Sequence, residues 1–397
     1  MAYSALFKSP EQILQSGHDA MPVKFLHTAD WQMGMKALQA GEKAKEVRSK
    51  RYDTAARIVE LAKREAVDFV LLAGDLFEDH DVDESVVRKT VAVLDSFAPI
   101  PVFVLPGNHD PVVAGGVWDR QSWQRAGDHV RLLREATEVL VQDDVALYPS
   151  PLRQKQSTLD PTAWMPPREP ADRRIRIGIA HGSLDMLPER ANFPIASTRA
   201  DEAGLDYLAL GDWHGFVRHG RAVYSGTMEQ TSFSEKDPAN VAIVEIAHAG
   251  AEPVVSKRHV GALRWSELEP PIRDATDVER LRKTILEAGP VTAQLLRIAP
   301  RLDPDVSPDT LGDLRSLREE LWEEAFFLDW PVEALDASAG APASLPDGLL
   351  SHVDDDLGAV LDGRIPEGPG REAAAAAPEV VKEARTLLRR LATEVER

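Results

Sequence analysis

Cysteine is absent from this 397-residue chain, which excludes disulfides and thiolate metal sites and fits a reducing interior. The expected compartment is the cytoplasm. No apolar run is long enough to span a bilayer. The first 20 residues, with Lys8, Glu11 and His18 among them, lack the apolar stretch of a secretory leader, so residues 1–21 read as an N-terminal tail. A positive balance is missing as well, since the formal net charge is −19. That deficit is uneven along the chain. Residues 302–362 carry 16 Asp and Glu against 2 Arg, whereas residues 34–64 carry nine Lys and Arg against four acids.

What the chain does contain is five short motifs in order: Asp30-Trp31-Gln32, Gly74-Asp75, Gly107-Asn108-His109-Asp110, His181-Gly182 and Gly211-Asp212-Trp213-His214. Each follows a short apolar run, at residues 23–26, 68–73, 102–105, 175–180 and 207–210, that reads as a buried strand. Loops at the carboxyl ends of buried strands are where α/β proteins usually place chemistry, so five such ends can converge on one edge.

The residue types suit phosphoester cleavage. Two divalent metals about 3.5–4 Å apart supply a nucleophilic water near neutral pH and stabilise charge on the phosphoryl oxygens. A carboxylate such as Asp75 can bridge two cations, while imidazole and amide oxygen complete the shells without cancelling more charge. Asp30 and Gln32 are two apart, as are Asp212 and His214, so in extended backbone each pair faces one side. A glycine at 107 lets the backbone turn sharply and approach a phosphate closely.

With these motifs, and with D-Y-L-A-L-G-D-W-H-G and Y-S-G-T-M-E-Q between Asp206 and Phe233, the chain resembles the calcineurin-like metallophosphoesterases, in particular the SbcD-type DNA repair nuclease subunits. The resemblance implies that Asp30 and His214 hold one metal, Asn108 and His181 the other, and Asp75 bridges them. It implies a metal-bound hydroxide as nucleophile and His109 as general acid, with Asp110 orienting that imidazole. Two positions depart from the family's pattern: Gln32 and Asp212 stand where it has histidines. Both remain candidate ligands, in a more oxygen-rich site that favours manganese, with magnesium or iron(II) after it, over zinc. The partners implied are DNA, an SbcC-like SMC-type ATPase subunit and a second copy of the chain.

The basic stretch could track a phosphate backbone, with Lys36, Lys43, Lys45, Arg48, Lys50 and Arg51 as candidate DNA contacts. The plain alternative is a solvated helix face, because Tyr52, Ala56, Val59 and Ala62 recur at helical spacing. Trp31 and Trp213 read as packing residues rather than base-stacking ones, and His27 as a hydrogen-bonded interior histidine.

The expected fold is α/β: a two-sheet sandwich flanked by helices over residues 22–258, with helices at 51–64 and 84–96 and an irregular Pro-rich loop at 153–172. A β-α-β-α-β order over 259–337 resembles the small α+β capping domain of SbcD-type subunits. Residues 338–378 read as a linker. A final helix over 379–397 has Val380, Val381, Ala384, Leu387, Leu388, Leu391 and Val395 on one face, packing on its own domain or docking a partner. DNA-end trimming in double-strand-break repair is the function this reading favours. The rivals are a phosphodiesterase or phosphatase for small molecules or nucleotides, and a non-catalytic subunit that binds DNA ends or the ATPase.

Overall fold

The computed structural model describes residues 22–186, 192–331, 349–361, 364, 380–381, 384–385 and 388. Its elements run β1 (Val23–Thr28), α1 (Ala44–Arg64), β2 (Phe69–Ala73), α2 (Glu84–Asp95), β3 (Val102–Leu105), β4 (Val130–Leu132), β5 (Val139–Gln142), β6 (Val145–Ser150), β7 (Ile175–His181), α3 (Arg199–Glu202) and β8 (Tyr207–Gly211). They continue through β9 (Val217–His219), β10 (Ala222–Tyr224), β11 (Asn240–Ile246), β12 (Val254–His259), β13 (Arg264–Leu268), β14 (Pro271–Ile272), α4 (Ala275–Glu287), β15 (Gln294–Ile298), β16 (Arg301–Leu302), α5 (Pro308–Glu324), β17 (Phe327–Asp329) and α6 (Leu349–Leu361).

Strands β2 and β3 are continuous apolar runs, as strands buried on both faces require, while β1 and β7 are buried along most of their length but carry Lys24, His27 and Arg176 among apolar residues. They fall into two six-stranded sheets, ordered β12-β11-β1-β2-β3-β4 and β5-β6-β7-β8-β10-β9. Strands β1 to β4 run parallel in the first sheet, and β6, β7, β8 and β10 in the second. Between the sheets lies a core that includes Phe25, Phe69, Phe103, Leu147, Ile177 and Tyr207. Helices α1 and α2 cover the outer face of the first sheet, setting Ala55, Ile58, Val91 and Leu94 against Leu72 and Val104. Residues 151–174 contain no regular element, and Met165 from this stretch packs on the outer face of the second sheet with Leu184 and Ile195.

A smaller parallel sheet, β13-β15-β17, follows. Helix α4 is capped by the Asp274 carboxylate, which accepts from the Thr276 and Asp277 N–H groups. Ser307 caps α5, with Pro308 opening its first turn. Leu263, Trp265 and Leu295 bury against Met35, Ala40 and Val47 beside α1. Glu229 adds a polar seam, accepting from the N–H groups of Ala262 at 2.7 Å and Leu263 at 2.9 Å.

The chain divides into two compact units, 1–331 and 332–397. In the second unit, α6 lies inside the stretch read as a linker, which corrects that reading locally. Leu350, Val353, Leu357 and Val360 recur at three- and four-residue spacing, a helical stripe hidden among Ala, Gly and Asp. The Arg385 guanidinium makes two 3.0 Å hydrogen bonds to the Asp354 carboxylate. Most of the 379–397 helix, like the 1–21 tail, lies outside the described residues.

Candidate metal centre

The motif residues sit where strands of both sheets end. Asp30 follows β1, Asp75 follows β2, Asn108 follows β3, His181 ends β7 and Asp212 follows β8. The sheets are joined at this rim: His181 Nδ1 lies 2.9 Å from the Ala73 carbonyl oxygen at the end of β2. A side chain at 74 could not coexist with that bond, because a Cβ there would stand 2.1 Å from His181 Nδ1, and Gly74 also has φ +94°. Gly107 serves a purpose that the sequence did not show. A Cβ at 107 would fall 2.1 Å from Asp75 Oδ1, so glycine makes room for the carboxylate.

Donor atoms of Asp30, Asp75 and His181 lie within 4.8 Å of one another, and all three residues are buried. His181 Nε2 is 2.7 Å from Asn108 Oδ1, 3.3 Å from Asp75 Oδ2 and 3.8 Å from Asp212 Oδ1. Gln32 and His214 also meet, with Gln32 Nε2 3.3 Å from His214 Nε2. The Asp212 N–H donates to Asp30 Oδ1 at 3.1 Å, and Ser183 Oγ donates to Asp212 Oδ2 at 2.7 Å. All seven candidate ligands are thus gathered at one rim. Four of them, Asp30, Gln32, Asp75 and Asp212, have positive φ of 53°, 41°, 51° and 100°. Such left-handed backbone is held only where neighbours over-determine it, and it clusters at functional sites.

The electrostatics call for a cation. Burial pushes Asp30 up to about 7 against the pull of His181 and His214. For His181, burial opposes the charged form, yet Asp75, Asp30 and Asp212 hold it well above its ordinary value. His214 is raised to about 9: burial opposes this, but the Glu235 hydrogen bond and Asp30 prevail. Clustered buried carboxylates balanced mainly by imidazoles fit divalent metal, which would replace the protons they now share. The donor set is imidazole, carboxamide and carboxylate, with no thiolate, and suits a first-row or hard dication.

Two sequence-based roles are corrected. Asp110 does not touch the His109 ring. Its carboxylate accepts from the Gly107 N–H at 2.7 Å and the Phe77 N–H at 2.9 Å, so it shapes the ligand loop. Burial and the nearby Asp75 charge raise it to about 7. The His109 ring is oriented by the Glu78 carbonyl, 2.8 Å from Nδ1, and its backbone N–H donates to Asp75 Oδ1 at 2.9 Å. Arg51 is not available to DNA, being 1% exposed. It donates to the Trp31 carbonyl through Nε and Nη2 and to the Glu229 carbonyl through Nη1. Of the remaining basic candidates, Lys43 pairs with Glu46 and Lys50 with Asp53, while Arg48 bonds the Lys36 carbonyl. Lys36 and Lys45 are exposed.

Trp31 is buried, its Nε1 bonded to Thr28 Oγ1 at 2.9 Å, and Trp213 packs beside the second sheet. His27 is fully buried, with Nδ1 2.9 Å from the Tyr207 hydroxyl. Glu78, Ser183 and Glu235 were not singled out from sequence. Ser183 stood two residues after a motif histidine, and the other two carried no local signal.

A family model described as calcineurin-like phosphoesterase matches residues 23–221. The chain is 24% identical over 352 residues to "uncharacterized metallophosphoesterase YhaO" of Bacillus subtilis, covering 80% of this chain and 83% of that protein. It is 25% identical over 273 residues to "DNA double-strand break repair protein Mre11" of Haloferax volcanii, covering 66% of this chain and 58% of that one. It is 24% identical over 257 residues to a subunit of the nuclease SbcCD from Staphylococcus saprophyticus, covering 56% and 66% respectively. The match takes in all five rim motifs and half of the sequence, and the chain belongs to the calcineurin-like phosphoesterase family.

Proposed function

We propose that this protein is a two-metal phosphodiesterase that cuts DNA at its ends. The observation that carries the reading is the convergence of Asp30, Asp75 and His181 donor atoms within 4.8 Å at the junction of two sheets. Asp30, Gln32, Asp75 and His214 would hold one ion, and Asp75, Asn108, His181 and Asp212 the other. When bound, such a pair supplies a nucleophilic water near neutral pH and neutralises charge on the phosphoryl oxygens. Manganese is the preferred ion for this oxygen-rich set.

The chain's own residues do the rest. Asp110 fixes the loop that carries Asn108 and His109. With Nδ1–H donated to the Glu78 carbonyl, His109 has Nε2 to pass a proton to the departing sugar oxygen. Ser183 restrains Asp212 so that its carboxylate keeps one orientation. DNA as substrate is supported by relatives named for double-strand break repair and for nuclease activity, and by the exposed Lys36 and Lys45 in the stretch that follows Gln32 in the chain. On this reading the β13-β15-β17 layer is a capping domain, the 379–397 segment docks an SMC-type ATPase, and the protein works in the cytoplasm. Among the described residues no helix is long and apolar enough to cross a membrane.

The test is hydrolysis by purified protein with Mn2+ of linear duplex DNA and of bis(p-nitrophenyl) phosphate, beside His109→Ala. DNA should be shortened from its ends, and His109→Ala should be slower by about 10²–10⁴-fold. Cleavage of the chromogenic ester alone would favour a small-molecule phosphodiesterase. DNA binding without cleavage of either would favour a non-catalytic subunit.

A further inference from the structure

Glu235 lies two residues past the Asp206–Phe233 stretch, and its Oε1 sits 2.5 Å from His214 Nδ1. The carboxylate is itself held: the Thr231 N–H donates to Oε2 at 2.9 Å, and Thr231 Oγ1 donates to Oε1. Glu235 also lines a cavity of about 380 Å³ together with Trp265 and Gln294 of the smaller sheet.

The loop that carries Glu235 is clamped to that smaller sheet. Gln230 bonds the Trp265 backbone twice, its Nε2 donating to the carbonyl at 3.1 Å and its Oε1 accepting the N–H at 3.0 Å. The Phe233 ring packs edge-on against the Trp265 ring at 5.0 Å, and the Arg297 guanidinium stands 4.2 Å from the Phe233 centroid. Residues 230–235 therefore touch the smaller sheet through Gln230 and Phe233 and His214 through Glu235.

We propose that Glu235 is a positioning residue for His214, and that the 230–235 loop makes the alignment of this imidazole depend on how the smaller sheet is seated. Accepting Nδ1–H leaves Nε2 as the lone-pair donor beside Gln32 and Asp30. The inference rests on the reading of Asp30, Gln32, Asp75 and His214 as holders of one metal ion. It adds a mechanical link: a change at Trp265 or Phe233, neither a ligand, is transmitted to the centre.

The experiment compares full-length wild type, Glu235→Ala, Glu235→Gln, Thr231→Val and Phe233→Ala by Mn2+ calorimetry and by low-field proton NMR of the metal-free protein. Wild type should bind two equivalents and show a downfield imidazole N–H resonance that Glu235→Ala erases. Glu235→Ala should weaken one equivalent by about 10–100-fold and leave the other unchanged, and Glu235→Gln, which keeps an acceptor oxygen, should restore most of the loss. Phe233→Ala should weaken the same equivalent. Wild-type affinity in Glu235→Ala would overturn the positioning role, and wild-type affinity in Phe233→Ala would overturn the link to the smaller sheet. Should Glu235→Ala misfold, Thr231→Val decides the positioning role: a weaker single equivalent upholds it, and unchanged binding overturns it. A wild type that takes up no Mn2+ would defeat the metal assignment itself, a result distinct from variants that bind as well as wild type.

Discussion

Arg51 spends its guanidinium on two backbone carbonyls, those of Trp31 and Glu229. The first lies between two candidate ligands, and the second belongs to the residue that bonds Ala262 and Leu263. Replacing Arg51 with Met keeps the stem and removes the donors. We expect a loss of about 3 kcal/mol in urea unfolding, the scale of charged hydrogen bonds left unmade. The salt dependence of DNA binding should stay as in wild type, and a shallower slope would return Arg51 to the DNA contacts. His27 makes a different prediction. Burial holds it down at about 3, so at pH 7 it is neutral both folded and unfolded and adds no pH dependence. Below about 6.5 the unfolded chain takes up a proton that the native state refuses, and stability should fall by about 1.4 kcal/mol per pH unit toward 3. In EDTA, His27→Asn should lose less stability than wild type between pH 7 and 5. Equal losses would contradict the assignment.

At the scale of elements, α1 has a buried face bearing Arg51, Ala55 and Ile58 and an outer face bearing Lys45 and Lys50. If the outer face follows phosphates, Lys43, Lys45 and Arg48 replaced together by Ala should flatten the log–log salt slope of DNA binding by about 2–3. An unchanged slope would leave α1 as a solvated helix alone. The same helix shows which structure was legible in sequence. Its apolar period was plain, but Arg51 looked like its basic neighbours, because only the fold brings the Trp31 and Glu229 carbonyls beneath it. Strands β1, β2, β3, β7 and β8 were legible because each is an apolar run closed by a turn former and a polar motif. Strands β13, β15 and β17 and the two helices between them were equally plain, whereas the short β14-β16 pair was not read. Helix α6 was missed among residues of loose composition. The partners Glu78 and Glu235 lie in loops whose approach to His109 and His214 is a tertiary event.

For the whole molecule, the rim joins two sheets that otherwise meet through apolar packing. An ion held by residues from both should act as a cross-link between them. Thermal unfolding in Mn2+ at about 100 times its dissociation constant should gain about 2.7 kcal/mol over unfolding in EDTA. Because His181 and His214 are raised, the second to about 9, binding at pH 7 should release protons, seen as calorimetric heats that depend on the buffer's ionisation enthalpy. Equal melts with and without metal would remove the cross-link.

The four donors locked at positive φ set a conflict between endurance and chemistry. A glycine at 30, 32, 75 or 212 would relax the backbone by about 1 kcal/mol. It would also delete a candidate ligand. With metal chelated, so that no ion ties the sheets together, a selection for heat resistance should therefore drift toward glycine at these positions and yield hardier proteins stripped of the donors that the motifs supply.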